Sequence, residues 1–212
     1  MRCLPTVTWL ALAVTLSSLT AWARPTAHTI EHVPFVKQAP QWCGPAALES
    51  VLRFHGLPAT QREIADEIAL PGGQVLNLDL KLYARRKGFR AESSRGDLDR
   101  LKQWISRDIP VICQWRVGGI GARRNHFVVV LGYDDGKRCF TAHTGTRAAE
   151  RISYPNFARW WRDARNWMLV IRPQQDDESA SSQPQCCDKP SASSIPSDGD
   201  SDGSDAESQS PQ

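Results

Sequence analysis

Apolar positions recur at three and four through the first half of the chain. In the second half they gather into short continuous or alternating runs. The change of period predicts helices followed by strands. Leu48, Val51, Leu52 and His55 share one stripe of a helix over 43–55, and Gly56 supplies its stop. Thr60-Gln61-Arg62-Glu63 reads as a capping box that opens a second helix reaching about residue 70. Asn77 reads as the cap of a third helix ending at Gly88. A fourth, over 97–107, places Leu98, Leu101 and Ile105 on one stripe. Strands are then expected over 110–117, 126–133, 138–142 and 166–172, with a short helix at Trp160-Trp161. The run 127–131 is apolar throughout and rich in β-branched residues, the pattern of a strand buried on both faces. Helices first and strands afterwards argue for an α+β fold with a helical layer packed on an antiparallel sheet.

Both ends of the sequence break the pattern. Arg2, an apolar run over 10–19 and Ala21-Trp22-Ala23 have the order of a cleavable signal peptide, with 1–23 removed and the product periplasmic or secreted. The apolar run is too short for a comfortable membrane span, with an uncleaved anchor as the alternative. A flexible arm is expected over 24–32 and one domain over 33–173. From residue 174 the chain turns to Ser, Asp, Pro and Gln, the composition of a disordered tail. That tail holds nine acids and one base, a net −8. The whole chain is +3 and the signal adds only Arg2, so the body over 24–173 carries +10. Such a body is suited to a polyanion, but no nucleic-acid-binding motif accompanies its arginines. A solvated cationic surface is the plainer account.

Candidate chemistry begins at Gln38-Ala-Pro-Gln-Trp-Cys43-Gly-Pro-Ala-Ala-Leu. A cysteine in the first turn of a helix faces backbone N–H groups with no intrahelical partner, and these favour the thiolate. His126 opens the buried strand, a rigid mount for a base that takes the thiol proton and returns it to a leaving amine. The Gly118-Gly119-Ile120-Gly121 stretch before it reads as a loop bordering a cleft. Gln38 is placed to donate its amide to an oxyanion together with the Cys43 N–H.

The Gln-x4-Cys-Gly-Pro-Ala-Ala-Leu run, Val51-Leu-Arg-Phe-His-Gly56 and His126-Phe-Val-Val-Val-Leu-Gly-Tyr-Asp134 together resemble papain-like cysteine peptidases of the bacteriocin-processing type. The resemblance spans roughly 33–172. It implies a papain-like fold, a peptide or protein substrate, Cys43 as nucleophile, His126 as base and Gln38 in the oxyanion hole. Members often form the peptidase domain of an export transporter; here a stand-alone, secreted, monomeric form is expected. The family places an aspartate in the strand after the histidine strand. This chain has Cys139-Phe-Thr-Ala-His143-Thr144-Gly145 there. A Thr144 hydroxyl or a neutral His143 ring is therefore the candidate acceptor from the His126 imidazole, with a backbone carbonyl as the plainer alternative.

Among the other cysteines, Cys3 leaves with the signal and Cys186-Cys187 lie in the tail. Cys113 and Cys139 fall on strands flanking the His126 strand, about 10 Å apart in a simple meander. That is too far for a disulfide, so both read as core residues. His28 and His32 belong to the expected arm, and His55 suits a helix C-terminus as a cation. No metal-ligand spacing appears, and neither metal nor cofactor is expected. Three function classes follow: a thiol peptidase or amidase, a weak or inactive relative that binds peptides in the same cleft, and a polyanion-binding module.

Overall fold

The computed structural model describes residues 25–118 and 123–174. The expected signal segment, the tail from 175, the Gly119–Gly121 part of the loop, and Cys3, Cys186 and Cys187 lie outside the described residues.

One antiparallel sheet of seven strands organises the domain. Its strands are β1 (Ala27–Thr29), β2 (Phe89–Arg95), β3 (Val111–Val117), β4 (Arg124–Asp134), β5 (Cys139–His143), β6 (Glu150–Ser153) and β7 (Trp167–Pro173). The order across the sheet is β2-β7-β3-β4-β5-β6, and β1 pairs with β4. The helices are α1 (Cys43–Phe54), α2 (Gln61–Ile68), α3 (Asn77–Arg86), α4 (Leu98–Ile105) and α5 (Tyr154–Asp163). The α+β class and the meander through β3, β4 and β5 agree with the sequence reading. Strict segregation does not, since β2 lies between α3 and α4 and α5 lies between β6 and β7.

Helix α1 runs through the core rather than over it: every residue from Gly44 to Leu52 is buried. Its buried Glu49 is paired with Arg53 and accepts the Gln61 backbone N–H at 2.6 Å. A carboxylate there meets the positive end of α2. The capping box at α2 forms as expected, with Thr60 and Glu63 bonded reciprocally. Asn77 corrects its expectation. Leu76 holds the N-cap position of α3, while Asn77 exchanges two amide hydrogen bonds with buried Gln114 of β3. The partner lies 37 residues away, beyond the reach of a local capping rule.

The expected flexible arm is also corrected. Residues 27–29 form β1, whose register sets Thr29 opposite Gly132. A Cβ at Gly132 would lie 2.9 Å from Thr29 Oγ1 and 3.1 Å from the His28 carbonyl, so the close approach needs glycine. His28 is bonded to Asp108 at 2.8 Å. Cys113 sits opposite Val128 and Cys139 opposite Asp134; both cysteines are free and buried. On α4, buried Lys102 is paired with Asp135, which also accepts the Tyr154 hydroxyl at 2.7 Å. These bonds tie the β4–β5 turn to α4 and α5. Among the described residues no helix is long and apolar enough to cross a membrane.

Candidate active site

The site forms where β4 and β5 part. Their last registered pair is Val129 with His143. Into this fork α1 delivers its first residue. Gly44 makes that possible, because a side chain there would run into Val75 and the Phe127 ring. The backbone N–H groups of Phe127, Gly44 and Cys43 itself act to lower the thiol's pKa. Burial nevertheless dominates and pushes the thiol above its ordinary value, with those N–H groups pulling the other way. The dipoles are present, but in the resting chain desolvation outweighs them.

His126 precedes Phe127 on β4 and is half-buried. Its Nε2–H donates to the Thr144 carbonyl at 2.8 Å. An acceptor-only partner fixes the proton on Nε2 and leaves Nδ1 as the free base. Burial lowers the pKa of this ring, with the Thr144 carbonyl opposing. Cysteine up and histidine down means that the resting pair is thiol and imidazole, both neutral. Among the described residues no hydrogen bond joins the two directly. Catalytic contacts of this kind are often long before substrate arrives.

The expected third members are corrected in detail. The Thr144 hydroxyl turns toward Glu150, at 3.1 Å, and the Arg147 backbone, and not toward the imidazole. Only the residue's carbonyl serves His126. Both nitrogens of His143 are engaged elsewhere: Nε2–H donates to the Val33 carbonyl at 2.9 Å, and Nδ1 accepts from the Ala149 N–H at 3.0 Å. His143 still borders the small cavity beside the sulfur, which Val36, Ala47, Phe127, Val129 and Gly145 also line.

Gln38 enters from the other side. Its backbone N–H donates to the Gly145 carbonyl at 2.9 Å, and its side-chain amide packs on Gly145. Gly145 has φ +76°, and a Cβ there would collide with the Gln38 Oε1. That oxygen is buried without a hydrogen-bond partner. Gln61, which sequence reading saw only as part of a helix start, brackets the same segment. Its Oε1 accepts from the Ala39 N–H at 2.8 Å and its Nε2 donates to the Lys37 carbonyl at 2.9 Å. The capping box located Gln61, but nothing local showed that its amide reaches back more than 20 residues to both neighbours of Gln38. Among the described residues no group of His, Cys, Asp and Glu is arranged to hold a metal ion.

The fold defines the class, a papain-like α+β architecture. The model of the peptidase C39-like family matches residues 30–167, well over half of the sequence, and the chain belongs to that family. Among curated protein sequences none matches. Solved structures show the same fold. A C39-like peptidase from Bacillus anthracis is 15% identical at TM-score 0.58, covering 70% of this chain and 98% of its own. The peptidase domain of Streptococcus ComA, a bifunctional ABC transporter, is 21% identical at TM-score 0.55, covering 68% and 100%. A double-glycine-motif protease of an AMS/PCAT transporter, solved with its leader peptide, is 20% identical at TM-score 0.57, covering 69% and 95%.

Proposed function

We propose that the chain is a cysteine peptidase that opens a peptide or amide bond through an acyl-enzyme on Cys43. The observation that carries this reading is Cys43 at the first residue of α1, lining one small cavity with Phe127, the β4 residue next to His126, whose proton is held on Nε2. Nδ1 of His126 takes the thiol proton as sulfur bonds to the substrate carbonyl carbon. The oxyanion is met by the Gln38 side-chain amide and the Cys43 N–H. Collapse breaks the C–N bond, and the Nδ1 proton goes to the departing amine. Water, deprotonated by the same nitrogen, then hydrolyses the thioester and releases the thiol. Burial favours the neutral form of both groups, which suits a general-base attack.

The substrate class is a peptide, in keeping with the leader peptide bound by the AMS/PCAT relative. The order of features over 1–23 supports export to the periplasm or beyond. A weak or inactive peptide-binding relative is the second reading. It is favoured by one observation: the group behind His126 is a carbonyl, which supplies no full negative charge to an imidazolium.

Cys43→Ala separates the readings. Wild type is expected to be labelled at Cys43 by an electrophilic thiol probe and to cleave peptides that include double-glycine leaders; the variant should do neither while keeping its melting temperature. Cleavage that survives in Cys43→Ala would remove the nucleophile assignment. Peptide binding without turnover by wild type would establish the second reading.

A further inference from the structure

His143 stands where the resemblance leads one to expect an acid, and the peptidase mechanism leaves it idle. Its hydrogen bonds give it a different task. Nε2–H is fixed as a donor by the Val33 carbonyl, and Nδ1 is fixed as an acceptor by the Ala149 N–H. Only the neutral Nε2–H tautomer satisfies both. The two partners belong to different walls of the site. Val33 lies on the segment that leads to Gln38. Ala149 closes the loop 144–149, which supplies the Thr144 carbonyl to His126 and the Gly145 carbonyl to Gln38. Ala149 adopts φ +46°, a left-handed conformation that an alanine keeps only when it is held.

We propose that His143, as its neutral Nε2–H tautomer, is a positioning residue that pins loop 144–149 to the segment carrying Gln38 and so fixes both the base and the oxyanion donor. A proton added at Nδ1 faces the Ala149 N–H, donor against donor, and opens the pin. The surroundings offer that proton little support. The 33–36 segment presents the Phe35 ring, with centroids 5.4 Å apart, and β4 presents Val129. Helix α1 presents the Cys43 thiol and Ser50, while Arg147 and Glu150 on the loop side are paired with each other. Burial also lowers the His143 pKa, with the Val33 carbonyl opposing. The pin therefore stays closed at neutral pH and opens in acid.

The catalytic consequence rests on the peptidase reading, whereas the pin does not, and the test separates them. Wild type, His143→Gln and His143→Phe are compared. Glutamine can make both bonds and does not titrate; phenylalanine fills the space and makes neither. In nuclear magnetic resonance of the labelled chain from pH 8 to pH 5, the Gln38 backbone amide and the His126 ring N–H are expected to shift with the His143 ionisation in wild type. They should not do so in His143→Gln. In hydrolysis at pH 8, His143→Phe should lose about tenfold or more in kcat with KM within about twofold, the mark of misplaced reacting groups. His143→Gln should stay within about threefold of wild type and lose one proton from the acid limb of its pH profile. Resonances of Gln38 and His126 that match wild type in His143→Phe would overturn the proposal, as would an unchanged kcat and acid limb. Should His143→Phe not fold, the resonances and acid limb of His143→Gln decide alone. A chain that shows the expected shifts but hydrolyses nothing defeats the peptidase reading and leaves the pin standing.

Discussion

Single residues set the protonation chemistry, and opposing forces at Cys43 decide its sign. Three backbone N–H groups favour thiolate, yet burial wins and the thiol lies above its ordinary value. His126 is displaced the other way. Labelling of Cys43 should therefore keep rising with pH beyond the usual thiol range of about 8.5. A plateau reached below pH 7 would mean a preformed ion pair instead. Gln38→Ala should cost about 10²- to 10³-fold in kcat with little change in KM, the loss expected for one oxyanion donor. Gln61→Leu leaves the Gln38 side chain intact but unties both neighbours, so about a tenfold loss in kcat with unchanged KM is expected. Equal activity of Gln61→Leu and wild type in the same steady-state assay would show that the Gly145 bond suffices to hold Gln38. Cys43, His126 and Gln38 stand out in the sequence as candidates because residue type, local context and the family resemblance point to them. The partners of Gln61 and His143, and the choice of the Thr144 carbonyl over its hydroxyl, do not show in the sequence, because they lie in contacts across the chain, one of them made by backbone alone.

At the scale of elements, local signals located what local bonds build. The capping box of α2, Asp97 at the start of α4 and the buried run of β4 each lie within a few residues of the groups they organise. Strands β1 and β2 escaped the same reading for physical reasons. β2 reads Phe-Arg-Ala-Glu-Ser-Ser-Arg, with Ala91 its only buried residue, and it is held by seven registered pairs to β7. β1 is three residues long and has no core-facing run; β4 holds it in place. Asn77 had a cap's residue type but a distant partner. The close approach at Gly132 gives β1 a direct test. In Gly132→Ala the added carbon presses on Thr29 and the His28 carbonyl, which should lift β1 and destabilise the fold by about 1–3 kcal/mol. Urea unfolding measures it, and amide exchange of Ile30, bonded to the Leu131 carbonyl, should quicken in parallel. Unaltered stability and exchange would mean that β1 is only lightly attached.

The whole molecule combines these shifts into a dependence of stability on acid. His55, His126 and His143 are all held below the ordinary histidine value by burial. His55 corrects its expected role as a cation at a helix end: its Nε2 lies 2.9 Å from the Ile171 carbonyl, which fixes that nitrogen as a donor, and burial disfavours a second proton. In the unfolded chain the three titrate near 6.5. Below that pH the unfolded state binds protons that the folded state resists, so stability falls as pH drops through 6.5 and levels off only once the folded rings ionise. The carboxylates move in a separate window. Glu67, Glu92 and Asp134 are lowered from ordinary values of 4.5, 4.5 and 3.8, so their contribution is lost only at more acidic pH. Melting temperatures at pH 7.5 and pH 5.0 therefore isolate the histidines, and the lower value is expected at pH 5.0. Replacing His55 with Gln keeps a donor for the Ile171 carbonyl and removes one titrating ring, which should narrow the gap without closing it. Equal melting temperatures at the two pH values would mean that the folded rings accept protons as readily as the unfolded ones. The desolvation argued for His55, His126 and His143 would then lose its basis together.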